Sequence, residues 1–103
     1  MTWHPAASLD EAELAAPWLA ATVAGTDIVL ARLDGAWYAA QARCTHAGCA
    51  FAEDATLEDG MIVCGCHGSE FDLRSGEVER GPAEYPIRTF PARVAGDQVE
   101  VEL

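Results

Sequence analysis

All four cysteines of this 103-residue chain, and two of its three histidines, fall in two short segments, Cys44-Thr45-His46-Ala47-Gly48-Cys49 and Cys64-Gly65-Cys66-His67-Gly68-Ser69. Each segment offers one thiolate and one imidazole at close spacing, Cys44 with His46 and Cys64 with His67, and seventeen residues separate the two sets. Two loops can thus grip one metal centre from opposite sides, and any fold of this chain has to bring them together. A thiolate is soft and charged and an imidazole is neutral and borderline, so this donor set suits zinc or an iron-sulfur cluster rather than magnesium or calcium. The residues alone leave zinc and iron-sulfur both open.

The rest of the chain reads as short strands. Ile28, Leu30 and Arg32 alternate with Val29, Ala31 and Leu33, and Asp34-Gly35 then supplies residues that tolerate positive φ before Ala36-Trp37-Tyr38-Ala39 resumes, which predicts a hairpin. Asp59-Gly60 before Met61-Ile62-Val63, and Ser75-Gly76 between Phe71-Asp72-Leu73 and Glu77-Val78, predict two further strand pairs. Ile87 to Val94 and Gln98 to Leu103 flank Ala95-Gly96-Asp97, with Pro91 restricting the first to an edge or an interrupted strand. Leu9 to Leu14 is the one stretch expected to form a helical turn. The fold class is all-β with antiparallel pairing, and with no repeat or linker the 103 residues are expected to form a single domain.

Half the residues are apolar, enough for a core, and seventeen acidic residues against six arginines and no lysine give a net charge of -11. Such a surface repels polyanions, which argues against nucleic acid, and attracts basic patches on protein partners. No Lys or Arg precedes Arg32, so a signal peptide's basic start is missing. Leu14 to Val23 is broken by Pro17 and falls short of the roughly 20 residues a bilayer requires. The expectation is a cytoplasmic chain with no membrane partner.

At the two metal segments the chain resembles the Rieske proteins, whose ligand pattern is Cys-x-His, a gap of this length, then Cys-x-x-His. Here these are Cys44, His46, Cys64 and His67. CTHAGC and CGCHGSEFD look like that family's two cluster loops, and Gly81-Pro82-Ala83 like the proline loop that covers them. The likeness runs from about Trp37 to the C-terminus; the first thirty residues match only in general strand pattern. It implies a Rieske fold of antiparallel sheets with a small cluster-binding subdomain, about residues 42–83, built from two loops. It also implies one 2Fe-2S cluster, with Cys44 and Cys64 on the inner iron and His46 and His67 on the outer iron. Two ferric ions and two sulfides carry two positive charges, which two thiolates cancel and four would exceed, so an electron enters more easily. Histidine ligation accordingly raises the potential to roughly -150 to +300 mV, against about -400 mV for plant-type clusters.

The resemblance assigns further residues. Cys49 and Cys66 stand where high-potential Rieske proteins carry a disulfide, a pair that many ferredoxins of ring-hydroxylating systems lack. Ser69 stands where a hydroxyl donates to a bridging sulfide, favouring the reduced state, while Phe71 replaces a tyrosine that bonds a ligand sulfur. Read locally, Ser69 is a turn cap and Phe71 a core residue. Pro82 completes the set that tunes the cluster.

A terminal oxygenase would need a second, mononuclear iron, and only His4, read as a solvated or strand-end residue, is left over. The chain is therefore expected to be an electron carrier rather than an enzyme. The small soluble members of the family implied here pass electrons from a flavin-dependent reductase to the terminal Rieske oxygenase of aromatic-ring dioxygenase systems. The alternatives are a Rieske subunit of another redox enzyme such as an arsenite oxidase, for which Cys49 and Cys66 argue, and a zinc-stabilised interaction module. Glu53, Asp54, Glu58 and Asp59 are candidates to flank a docking surface, and Trp3, Trp18 and Trp37 are expected to pack the barrel.

Overall fold

The computed structural model describes residues 2–15, 17–45 and 48–103. Three antiparallel sheets account for most of them. The first holds β1 (Trp3–Ser8), β11 (Gln98–Glu102) and β10 (Ala92–Ala95) in the order β1-β11-β10. The second is β2 (Leu19–Val23), β3 (Thr26–Leu33), β4 (Ala36–Gln41) and β9 (Thr89–Phe90). The third is β5 (Ala55–Glu58), β6 (Met61–Cys64), β7 (Glu70–Asp72) and β8 (Val78–Arg80).

The second sheet is central because β3 is apolar on both faces. Ile28, Leu30, Trp37 and Ala39 pack into one core with Val99, Val101 and Phe90, against the first sheet. Their neighbours Val29, Ala31 and Ala40 face the other way, into a core with Phe51, Ile62, Phe71, Leu73, Cys44 and Cys64. The period-two alternation of a strand thus serves two cores at once. Trp18 and Trp37 are buried, and Trp18 Nε1 donates to the Ala55 carbonyl at 3.1 Å. Trp3 departs from the expectation: it is half-buried at an edge, with the Arg93 guanidinium 4.0 Å above its ring.

The Asp-Gly turns form where the sequence places them, with positive φ at both residues: 52° and 80° at Asp34-Gly35, 51° and 79° at Asp59-Gly60. That is the turn geometry whose twist matches a hairpin. The β2-β3 hairpin, not evident in the sequence, turns on Ala24 (φ 49°) and Gly25, and alanine carries no signal for positive φ. The strand expected over Ile87 to Val94 divides at Pro91 into β9 and β10, which belong to different sheets, and Ile87 is a buried loop residue. Helix α1 (Leu9–Leu14) starts on a capping box in which Ser8 and Glu11 each bond the other's backbone N–H. A second helical turn, α2 (Phe51–Asp54), corrects the expectation of only one; it buries Phe51 and leads into β5. His4 lies in β1, half-buried, opposite Val101.

Candidate metal centre at two matched loops

The two cysteine segments fold alike. In the first, Cys44 N–H donates to the Cys49 carbonyl at 2.9 Å and Gly48 N–H to the Cys44 carbonyl at 3.0 Å. In the second, Cys64 N–H donates to the Ser69 carbonyl at 2.9 Å and Gly68 N–H to the Cys64 carbonyl at 2.9 Å. Gly48 and Gly68 both have positive φ, 70° and 79°. Each loop therefore closes on itself over the same span, with a cysteine at its root. β4 leads into the first loop and β6 into the second, while Cys44 and Cys64 enter the same core.

Cys44 and Cys64 are 4% and 2% exposed and stay out of the disulfide. Both side chains lie in the same core, near enough for Cys44 to act on the Cys64 thiol. Burial pushes the Cys64 thiol up; the Cys66 and His67 backbone N–H groups pull against it, and the neighbouring Cys44 adds to the rise. Those two amides converge on the sulfur, which suits a thiolate that carries negative charge. Gly65 makes the approach possible: its N–H donates to the Asp54 carbonyl at 2.7 Å, and a Cβ there would collide with that same oxygen. Sequence reasoning passed over Gly65, although a glycine between two metal-loop cysteines is a signal for close backbone approach.

The expected bridge between Cys49 and Cys66 is present, with an S–S distance of 2.11 Å, and ties one loop to the other. Cys49, Cys64 and Cys66 sulfurs lie within 4.8 Å of one another, but two of the three are spent on the disulfide. His67 is exposed at the tip of the second loop, whereas His46 lies outside the described residues.

A third segment covers both loops. Gly81-Pro82 is a cis peptide, and Ala83 N–H donates to Ser69 Oγ at 3.0 Å in a buried bond. Thr45 Oγ1 donates to the Tyr85 carbonyl at 2.7 Å. One hydroxyl from each loop therefore holds the proline segment, a role for Thr45, Ala83 and Tyr85 that sequence reasoning missed. Ser69 is 1% exposed, so it is not a surface turn cap. Its oxygen accepts from Ala83, which leaves the hydroxyl hydrogen available to donate elsewhere. Phe71 is fully buried, edge-on to Phe51 at 5.9 Å, and so packs the core beneath the loops. Pro82 and Glu84 are exposed, and Tyr85 is 69% exposed, at a shallow cleft that Thr45 completes.

Of the four acidic residues of the insert, Glu53 and Asp54 sit beside the second loop through the Gly65-Asp54 bond. Glu58 and Asp59 do not: β5 and β6 run antiparallel with Ala55 opposite Cys64 and Glu58 opposite Met61, so the Asp59-Gly60 turn is at the far end of the hairpin. There Arg74, ion-paired with Asp34 at 2.9 Å, lies against Gly60.

Two adjacent buried thiols, converging amides and an exposed imidazole fit an iron-sulfur cluster, and comparison with known proteins agrees. The chain belongs to the Rieske family: the model of the Rieske [2Fe-2S] domain matches residues 2–91. It is 34% identical over 102 residues to the anthranilate 1,2-dioxygenase ferredoxin subunit of Burkholderia cepacia, covering 98% of this chain and 92% of that protein. With the ferredoxin component of biphenyl 2,3-dioxygenase from Rhodococcus jostii it shares 37% over 76 residues, covering 74% and 70%. The ferredoxin of carbazole 1,9a-dioxygenase from Nocardioides aromaticivorans superposes with a TM-score of 0.85 at 26% identity, covering 98% of this chain and 97% of that one. This chain is thus a Rieske ferredoxin, a 2Fe-2S electron-transfer component rather than a catalyst, and the zinc-stabilised module is set aside. Among the described residues no helix is long and apolar enough to cross a membrane.

Proposed function

We infer that the chain, residues 1–103 as one domain, shuttles single electrons from a flavin-dependent reductase to the terminal Rieske oxygenase of an aromatic-ring dioxygenase system in the cytoplasm. The burial of Cys44 and Cys64 in one core, each at the root of a loop that a Ser69 or Thr45 hydroxyl ties to the proline segment, is the observation that carries this reading. Cys44 and Cys64 would hold one iron, and His46 and His67 the other. The cluster supplies a one-electron couple. The chain's own contribution is to exclude water with Phe51, Phe71 and Ile62 and to aim donors at sulfur from the Cys66 and His67 amides and the Ser69 hydroxyl. The exposed His67 gives the electron a short exit. Exposed Tyr85 and Pro82, beside Thr45, offer an apolar contact, and exposed Glu53, Asp54 and Glu84 add acidic charge that favours partners with a basic docking face.

Purified protein is expected to contain iron and acid-labile sulfide in equal amounts and to give a Rieske electron paramagnetic resonance signal on reduction. Stopped-flow mixing with a dioxygenase reductase and oxygenase pair should show the cluster reduced by the first and reoxidised by the second. A zinc-loaded, colourless protein would end this reading. The Cys49–Cys66 bridge favours one rival, a Rieske subunit of another redox enzyme, and the midpoint potential separates the two. A value far above flavin and nicotinamide donors would leave little driving force to pass electrons to an oxygenase.

A further inference from the structure

Four sulfur atoms are strung together at this centre. Cys44 shares a core with Cys64, and Cys64 Sγ lies within 4.8 Å of both sulfurs of the Cys49–Cys66 bridge. A thiolate so near a disulfide is placed for exchange, which proceeds by attack of that thiolate on one sulfur of the bridge and depends on access and on which sulfur leaves. While Cys64 is bound to iron its sulfur is occupied.

We propose that losing the cluster starts an internal thiol–disulfide exchange in which Cys64 Sγ attacks Cys49 Sγ and expels Cys66. The Cys49–Cys66 bond breaks as a Cys49–Cys64 bond forms. Cys64 leaves the iron as a thiolate, the negative charge passes to Cys66, and Cys66 takes up a proton from solvent, so no electron enters or leaves and no oxidant is needed. Cys66 is the leaving group because it is exposed and water stabilises the departing thiolate, whereas Cys49 is half-buried. Attack on Cys66 instead would force a bridge across Gly65 alone, whose backbone is already held by the Asp54 carbonyl. The product is a locked chain: Cys64 is consumed, no cluster can be rebuilt on it, and Cys66 becomes a reactive surface thiol. A thiol reductant reopens the bridge. The cluster thereby protects its own ligand, and exposed Cys66 marks chains that have lost it. The inference rests on the proposed role of Cys64 as a ligand.

The test uses holoprotein under strict anaerobiosis, stripped with an iron chelator, then alkylated with N-ethylmaleimide and mapped by fragment-ion mass spectrometry. Alkylation at Cys66 should rise from background to the major product alongside Cys44, with a Cys49–Cys64 crosslink. Iron and sulfide should then rebuild the visible spectrum only after thiol reductant. Stripped protein alkylated at Cys44 and Cys64 with the Cys49–Cys66 bridge intact overturns the exchange while leaving the ligand assignment standing, as does a Cys64–Cys66 crosslink. Alkylation of Cys64 in unstripped holoprotein overturns the ligand assignment, and the exchange with it. Cys64→Ser is the control: its bridge should stay between Cys49 and Cys66, and a bridge lost there as well would also overturn Cys64 as the nucleophile.

Discussion

The two faces of the central sheet are held together by different means. On the face toward β1, β10 and β11, strands of four to eight residues bury Ile28, Leu30, Trp37, Val99 and Val101 in continuous apolar contact. On the other face the strands are only three or four residues long, and they lead into loops. There a disulfide, the Ser69 and Thr45 bonds to the proline segment and a metal cluster supplement a core of Phe51, Ile62, Phe71 and Leu73. A protein that must bring a redox centre to its surface cannot surround it with apolar side chains, so covalent and directional bonds take their place. Stability and function are thereby separated in space, and the separation can be tested.

Cys64→Ala should have the largest effect, complete loss of the Rieske spectrum, while circular dichroism still reports the sheets. If it abolished folding as well, the two faces would be one cooperative unit. Leu30→Ala, on the face away from the loops, should cost about 2–5 kcal/mol in denaturant unfolding and leave the potential unmoved. Replacing both Cys49 and Cys66 by serine should keep the spectrum but shorten cluster lifetime and cost about 3 kcal/mol. Equal cluster lifetimes in the presence and absence of the bridge would show that packing alone holds the loops.

Smaller changes sharpen the contrast. Ser69→Ala should lower the midpoint potential by roughly 40–80 mV, because a donor worth about 1–2 kcal/mol to the reduced state is lost and about 59 mV corresponds to ~1.4 kcal/mol. It also orphans the Ala83 N–H, so stability should fall at the loop end. Protein-film voltammetry checks the first effect; an unchanged potential would confine Ser69 to pinning the proline loop. Smallest is Ala24→Gly in the β2-β3 turn, where the native φ of 49° suits glycine: a gain of about 0.5–1 kcal/mol with no change in potential. Thermal unfolding measures it, and a loss would mean that Ala24 makes contacts worth more than its backbone conformation costs.

Much of this molecule was legible in its sequence because the signals were local. Asp34-Gly35 and Asp59-Gly60 announce their turns through side chains that tolerate positive φ, and the alternation from Ile28 to Leu33 announces a strand. The cysteine and histidine spacing, with its flanks, announced the family that the comparison then established. What stayed hidden depended on residues distant in sequence. Ala24 holds positive φ only because β2 and β3 pair on either side of it, and Pro91 sends β9 and β10 to separate sheets because each finds a different partner. Glu53, Asp54, Glu58 and Asp59 look equivalent along the chain, yet a hairpin with four-residue strands puts two at the cluster end and two at the opposite end. Sequence by itself determined the donor set of this protein and, through the family its flanking residues resemble, the kind of centre those thiols and imidazoles hold. Only the tertiary structure decided that Ser69 and Thr45 pin the covering loop, that Gly65 must lack a side chain, and that Cys64 lies beside the disulfide. Each of those facts is a contact between segments whose separation no local pattern encodes.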